Sequence, residues 1–222
     1  MLAQGISGTI KWILEDDGTL YFVPVNGKEG TFADTKGFQR EWETYNTSIK
    51  QIKSQGTINL AKNSCYMFSG CSSLTDIDIL KDWNTQNVTN IEGMFAGCSS
   101  LKNIDALKNW NTQNVTSIKG LFADCSSLVT IDILRSWNVK KVIDMSYLFQ
   151  GCSSLTNVDA LKGWNTQNLV KMGWMFFDCS SLTNIDGMKN WNYKKVTSMD
   201  KAFNKCDTLP TANIFKNLNG SL

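Results

Sequence analysis

The amino-acid sequence predicts a repeat solenoid that is mainly β with short helical turns. Tryptophans and cysteines both recur with a period of 27 residues, as Trp83, Trp110, Trp137, Trp164 and Trp191 and as Cys71, Cys98, Cys125, Cys152, Cys179 and Cys206. Such a period is typical of solenoids, because one repeat buries its apolar side only by stacking on its neighbours. We call one 27-residue copy a rung, and residues spaced by this period a column. The function of such a stack is expected on its exposed faces.

The first 46 residues predict an N-terminal cap that contains a β-hairpin. Two apolar runs flank Asp17 and Gly18 between Trp12 and Val23, and Asp-Gly in this context is a strong hairpin signal. A distinct cap is expected because an open solenoid end exposes core and unpaired strand edges. Residues 47–222 then form the solenoid, with a degenerate first rung and an incomplete last rung. An open parallel edge at residues 209–222 would allow end-to-end self-association.

Each full rung predicts two short strands and two short helical segments. In the first full rung the strands are residues 73–77 and 88–91, which are rich in β-branched side chains. One helical turn follows the first strand, with Asp78 as its N-cap, and a second helical segment covers residues 92–98. The aspartate column continues with Asp105, Asp132, Asp159 and Asp186. Columns of Leu, Ile, Val and Phe supply the stacked interior.

The repeat resembles that of the BspA-like leucine-rich-repeat family of bacterial surface proteins. Residues 93–101 (Gly-Met-Phe-Ala-Gly-Cys-Ser-Ser-Leu) and 110–116 (Trp-Asn-Thr-Gln-Asn-Val-Thr) carry the match. The resemblance implies a right-handed β-solenoid of leucine-rich-repeat type, at the cell surface or secreted. It also implies a non-enzymatic binding or adhesion module that displays a rigid repeat face to a protein or glycan of a host or a bacterial surface. The chain departs from the family pattern by having Asn where Asp commonly follows the Trp.

Composition argues against several other functions. The chain contains no His, so His-based acid–base catalysis and His metal sites are excluded. Its 22 basic and 20 acidic residues are mixed, and only two are arginines, so no nucleic-acid partner is expected. No apolar run approaches the ~20 residues that span a bilayer, and the first residues do not look like a signal peptide, so no membrane insertion is expected. We expect no catalytic residues, no metal and no cofactor.

Two other functions stay open from the sequence. An intracellular or phage-borne protein-interaction scaffold would fit the unpaired cysteines and the missing signal peptide. A carbohydrate-active enzyme would need a pair of carboxylates ~5 to 9.5 Å apart in a groove. The cysteine column is predicted to consist of buried free thiols, and Cys65, outside the column, is the candidate for an exposed thiol. The tryptophan column is predicted to be structural.

Candidate ligand-binding residues lie where the rungs differ. One column reads Tyr66, Gly93, Gly120, Tyr147, Trp174 and Lys201, and the column three residues later has Phe177 where other rungs have Ala96 or Ala123. Tyr147, Trp174 and Phe177 therefore predict an aromatic cluster. Two turns predict a basic strip formed by Lys140, Lys141, Lys194 and Lys195. Exposed aromatic rings and clustered charge are typical of protein or glycan contacts, although Trp174 could also fill a packing gap and the lysines could only solvate a turn.

Overall fold

A small N-terminal sheet covers one end of a stack of repeats. The computed structural model describes residues 1–35, 37 and 40–210. The strands in this part of the chain are β1 (Ala3–Ser7), β2 (Ile10–Leu14), β3 (Thr19–Pro24), β4 (Glu29–Thr31), β5 (Gln51–Ser54) and β6 (Thr57–Asn59). One sheet has the order β1-β2-β3-β5, and a second pairs β4 with β6. β1, β2 and β3 are antiparallel, whereas β3 pairs with β5 and β4 with β6 in parallel.

The predicted hairpin is confirmed as β2 and β3. Gly18 has a φ of +90°, a backbone conformation that glycine adopts without a steric penalty, and Asp17 Oδ1 accepts the Thr19 N–H at 2.8 Å. Alternate residues of both strands are buried, among them Trp12 and Phe22. The Trp42 ring packs edge-on against Trp12 and Phe22, at centroid distances of 6.0 and 5.1 Å. Phe22 and Trp42 each also lie 6.4 Å, centroid to centroid, from Phe68 of the first rung, so these rings join the cap to the stack.

Short 3-10 helices lie at the predicted place in the rungs. After η1 (Glu43–Ser48) come η2 (Asp78–Asp82), η3 (Asp105–Leu107), η4 (Asp132–Ser136), η5 (Asp159–Gly163) and η6 (Asp186–Met188). The aspartates that begin η2 to η6 were expected to be N-caps, and this expectation is wrong. In η2 the cap position belongs to Ile77, and the Asp78 N–H donates to Oδ1 of Asp76 at 2.9 Å. Asn103, Thr130, Asn157 and Asn184 accept the corresponding N–H in the later rungs.

Residues 92–98, expected to be helical, instead hydrogen-bond to the next rung. The Gly93 N–H donates to the Lys119 carbonyl at 2.8 Å, and the N–H groups two and four residues later repeat this bond at 3.0 and 2.7 Å. Because these alternate N–H groups point along the stack, they are not available to a helix. The expected strands are shorter than predicted: within the described rungs residues 73–77 contribute only a bridge between Asp76 and Gln51, and the second strand is reduced to single bridged residues. These bridges join Asn63 to Asn90, Asn90 to Ser117, Ser117 to Asp144, Asp144 to Lys171 and Lys171 to Ser198.

Two side chains of the cap donate the hydrogen bonds that a preceding rung would otherwise supply to the first rung. In later rungs the carbonyls of this segment accept backbone N–H groups, as when Met94 O accepts from Phe68 at 2.8 Å. In the first rung Met67 O accepts the indole N–H of Trp42 at 3.1 Å, and Ser69 O accepts the amide of Asn46 at 2.6 Å. These bonds satisfy carbonyls that would otherwise be left unpaired at the start of the stack.

The interior consists of stacked columns that also satisfy backbone carbonyls. Phe95, Phe122 and Phe149 stack at centroid distances of 5.9 Å. From Trp110 onward each column indole N–H donates to a leucine carbonyl of the preceding rung at 2.9 to 3.0 Å. From Cys98 onward each column thiol donates to a phenylalanine carbonyl of the preceding rung at 3.0 to 3.2 Å. The tryptophans are buried, so their predicted structural role is confirmed.

All seven cysteines are free and buried. For the column this confirms the prediction, but Cys65 was expected to be exposed and is only 5% exposed. Thr35, which follows β4 in the cap, lies over it, with its Oγ1 3.0 Å from the Cys65 Sγ. Burial raises the pKa of Cys71 and of Cys125 to about 12. These two thiols are therefore protonated near neutral pH.

Two expectations concern membranes and chain ends. None of the helices in the described part of the chain is both long and apolar enough to cross a bilayer. The open edge expected at residues 209–222 lies, from residue 211 onward, outside the described residues.

Candidate functional site

The column that contains Tyr147 and Trp174 has a left-handed backbone in each described rung. The φ angles are 54° at Tyr66, 58° at Gly93, 60° at Gly120, 62° at Tyr147, 61° at Trp174 and 55° at Lys201. This conformation directs the N–H to the next rung, as when Trp174 donates to Asp200 O at 2.8 Å. For a residue other than glycine it costs roughly 1–2 kcal/mol, because Cβ approaches the backbone. The repeat thus places some of its largest side chains at a position that favours glycine.

The structure brings the three predicted aromatic residues together on one surface. Tyr147 and Trp174 stack with centroids 6.0 Å apart and planes inclined by 22°. Phe177 packs against Trp174 with centroids 4.6 Å apart. All three side chains are half-buried, so one side of the cluster remains open to solvent. That these residues bind a ligand stays a prediction.

Three lysines lie against this cluster that were not among the predicted site residues. Lys201 Nζ is 4.5 Å from the Trp174 centroid, Lys205 Nζ is 5.1 Å from that of Phe177, and Lys119 Nζ is 6.0 Å from that of Tyr147. Each cation–π contact contributes about 0.5–1 kcal/mol at an exposed site. The spacing already contained the signal for one of them, since Lys201 follows Trp174 by one period. We call these three aromatic residues and three lysines the aromatic face.

The predicted basic strip has structural contacts of its own. Lys141 Nζ donates to Asn114 Oδ1 at 2.9 Å, and Lys195 Nζ donates to Asn168 Oδ1 at 2.8 Å. Both asparagines belong to the turn of the preceding rung, so these lysines bridge neighbouring turns. Lys140 and Lys194, the other two members, are also exposed. A ligand contact through this strip stays a prediction.

A groove of about 170 Å³ adjoins the aromatic face. Its lining consists of Tyr66, Gly93, Ala96, Lys119, Gly120, Ala123, Tyr147 and Gln150. Glu92 lies beside it: its Oε1 accepts the Tyr66 hydroxyl at 3.0 Å and pairs with Lys119 Nζ at 3.2 Å. Burial, and then the hydrogen bond to Glu92, raise the pKa of Tyr66, so its hydroxyl stays protonated. The groove therefore combines an apolar floor with a donor and acceptor pair at its edge.

A larger concavity of about 960 Å³ lies at the 3-10 helices of the later rungs. Arg135, Lys162 and Lys189 line it together with Asp159 and Asp186, so its charges are mixed. Within the described residues no three His, Cys, Asp or Glu side chains are grouped closely enough to hold a metal ion. The aromatic face and its groove are thus the more distinctive surface.

The repeat region matches the protein family described as "Mycoplasma protein of unknown function, DUF285" in three overlapping segments, residues 38–130, 62–184 and 129–217. The chain belongs to this family. No curated protein is similar enough to count as a match.

Among solved structures, the chain is similar to a leucine rich cell surface protein from Faecalibacterium prausnitzii A2-165, with 21% identity and a TM-score of 0.50 over 95% of this chain and 54% of that chain. The chain therefore spans about half the length of that protein. Two leucine-rich-repeat proteins also match at lower scores. The one from Eubacterium ventriosum has 16% identity and a TM-score of 0.29, over 94% of this chain and 89% of that chain. The one from T. pallidum has 13% identity and a TM-score of 0.34, over 96% and 94%.

These findings confirm the predicted BspA-like leucine-rich repeat and the repeat solenoid. At this identity the likeness to the Faecalibacterium protein is a likeness of fold. Fold alone does not assign a function, so the function must be argued from the aromatic face.

Proposed function

We propose that this chain is a non-enzymatic binding or adhesion module that holds a protein or glycan ligand on its aromatic face. The observation that carries the proposal is the position of Trp174. The fold accepts glycine in this column, as Gly93 and Gly120 show, and the left-handed φ of 61° favours glycine there. Stability alone therefore gives little reason for a tryptophan at this position. Strained positions of this kind cluster at ligand contacts.

The composition of the aromatic face supports the same proposal. Tryptophan and tyrosine are enriched among the residues that contribute most to binding, because each buries a large area and loses few rotamers. Lys201 and Lys205 add cationic groups beside the rings. Since the rings stand on a stacked core, their spacing is set before a ligand arrives, which lowers the entropic cost of binding.

We further propose that the module acts at the cell surface or in secreted form. The similar Faecalibacterium structure is described as a cell surface protein, and the repeat resembles that of bacterial surface proteins. The unpaired cysteines do not oppose this location, because all seven are buried and thus shielded from an oxidising exterior.

The test is a binding array of glycans and extracellular-matrix proteins probed with the whole chain and two variants, Trp174→Gly and Tyr147→Gly. Glycine is native to this column, so both variants should keep the fold, as circular dichroism would show. We expect binding to fall at least tenfold in both, as for central aromatic contacts. A Lys141→Ala, Lys195→Ala double variant tests the basic strip separately, and a loss of binding in it would extend the contact to that strip. Binding that persists in both glycine variants would contradict the proposal.

A further inference from the structure

A gap of one ring separates Tyr66 from the aromatic face, and we propose that this gap binds a single neutral pyranose ring of a glycan. The inference rests on the proposed function, because it names a ligand class for the same surface. It follows from the shape of the column, from the size of the groove and from the polar groups at its edge.

The gap lies over Gly120. A Cβ added at Gly93 would clash with Cδ1 and Cε1 of Tyr66, so the Tyr66 ring already covers that glycine. At Gly120 an added Cβ would meet only the Cβ atoms of Ala123 and Tyr147, both at 3.9 Å. The ring column therefore runs from Tyr66 across one empty position to Tyr147 and Trp174.

The size of the gap fits one ring. Bridged rungs lie about 5 Å apart, so a ring over Gly93 and one at Tyr147 are separated by roughly 10 Å. A ring inserted midway would lie about 5 Å from each tyrosine, within the 4.5–7 Å centroid range of stacked rings. The groove volume of about 170 Å³ is below the roughly 300 Å³ at which sites for drug-sized ligands begin. One ring of a longer ligand would be enclosed, with the remainder outside.

The edge of the groove selects a neutral sugar. A pyranose has two C–H faces, which suit the tyrosine rings, and a rim of hydroxyls that both donate and accept hydrogen bonds. Glu92 can accept, Lys119 can donate, and the Gln150 amide can do both. Glu92 and Lys119 pair at 3.2 Å, so their charges offset one another and the groove does not favour an anionic ring. A phenyl ring from a peptide would stack on the same faces but offer no partner to these groups.

The test is saturation-transfer NMR on the whole chain with neutral methyl pyranosides of glucose, galactose, mannose and N-acetylglucosamine. We expect at least one to bind with a dissociation constant on the order of 1 mM, because a single ring offers few contact atoms. The blocking variant is Gly120→Tyr, which places in the gap a residue that the column already holds at Tyr66 and Tyr147 with the same φ. It should weaken binding at least tenfold. The control variant Val129→Ala, at a position that is 50% exposed and lies outside the groove and the aromatic face, should bind within about twofold of the original chain.

Several outcomes would overturn the inference. One is the absence of pyranoside binding at about 10 mM; another is binding that Gly120→Tyr leaves unchanged. If N-acetyltyrosine amide binds in a Gly120→Tyr-sensitive way and no pyranoside does, the gap accepts a peptide side chain instead. Should Gly120→Tyr fail to fold, Tyr147→Gly removes one wall and must weaken pyranoside binding at least tenfold.

The array and the NMR experiment separate the two proposals. Array binding that is lost in Trp174→Gly, without pyranoside binding, would leave the proposed function standing and overturn the sugar gap. Pyranoside binding that is blocked by Gly120→Tyr, with array binding indifferent to Trp174→Gly, would support the gap and place the wider contact elsewhere.

Discussion

Replacing Trp137 by phenylalanine tests whether the tryptophan column is structural. Trp137 is 4% exposed, and its indole N–H donates to the Leu107 carbonyl at 3.0 Å. Phenylalanine keeps an aromatic ring at this position but removes the donor and part of the volume. The equivalent bond recurs from rung to rung, so the result applies to the whole column.

The expected loss of stability is about 2–3 kcal/mol. Leu107 O keeps its bond from the Trp110 N–H at 3.2 Å, so losing the indole bond costs about 1 kcal/mol rather than the full penalty of an unpaired carbonyl. The smaller ring leaves space in a packed core, which adds about 1–2 kcal/mol. For a chain of this length the midpoint of thermal unfolding should fall by roughly 4–12 °C.

Thermal and urea unfolding followed by far-ultraviolet circular dichroism would measure the change, with tryptophan fluorescence as a second probe of cooperativity. Trp174→Phe is the matched control, since it removes the same atoms from a half-buried position. In the described part of the chain no protein acceptor lies at the Trp174 indole N–H. Its stability should change by less than about 1 kcal/mol. Equal shifts in the two variants would refute the distinction between the structural column and the aromatic face.

Three further predictions concern the thiols, the cap and the column of Thr85, Thr112, Val139 and Thr166 in the polar turns. Burial raises the pKa of Cys125 to about 12 and of Cys206 to about 11, whereas unfolded thiols titrate near pH 8.5. The folded state therefore keeps protons that the unfolded state loses, so the free energy of unfolding should be level to about pH 8 and fall above about pH 9; urea titrations from neutral to alkaline pH check this, and a level curve would contradict it. Asn46→Ala removes the amide that closes the first rung at 2.6 Å and should cost about 1–2 kcal/mol in urea unfolding, while an unchanged midpoint would mean that water replaces the amide. Val139→Thr should add about 0.5 kcal/mol, because its hydroxyl would accept the Asn165 N–H as Thr112 accepts that of Asn138 at 2.8 Å; a loss of stability would show that the buried methyl matters more.

The interior of the repeat could be predicted from the sequence because each rung repeats the same environment. The repeat positions of Leu101 and Phe122 are apolar in every copy, and both of these side chains are fully buried. Periodicity identifies such positions without reference to the direction of any hydrogen bond. The same reasoning found the 3-10 turns and the structural role of the tryptophans.

Backbone hydrogen bonding was harder to predict, because short irregular segments have several ways to satisfy their N–H groups. The Asp78 N–H is accepted two residues upstream, by Asp76, and residues 92–98 bond along the stack instead of forming a helix. The left-handed φ at Tyr147 and Trp174 belongs to this arrangement. A column that mixes glycine with tyrosine and tryptophan was the only trace of it in the sequence.

The candidate site, too, could be predicted from the sequence only in part. Variation between copies pointed to Tyr147, Trp174 and Phe177, and the structure brings these three rings together. The positions of the neighbouring lysines and the gap over Gly120 depend on side-chain orientation, since the Tyr66 ring covers Gly93 and leaves Gly120 open. Contacts between rungs determine these orientations.

The 27-residue period by itself determined that this protein is a stacked solenoid, which columns form its core and where the copies diverge. Only the tertiary structure decided which way the backbone groups bond, that Cys65 is covered by the cap, and that the aromatic residues border a groove. The physical reason is that burial follows from the repeated apolar pattern, whereas hydrogen-bond direction and side-chain orientation depend on neighbours that lie about 27 residues away in the chain and in contact in space.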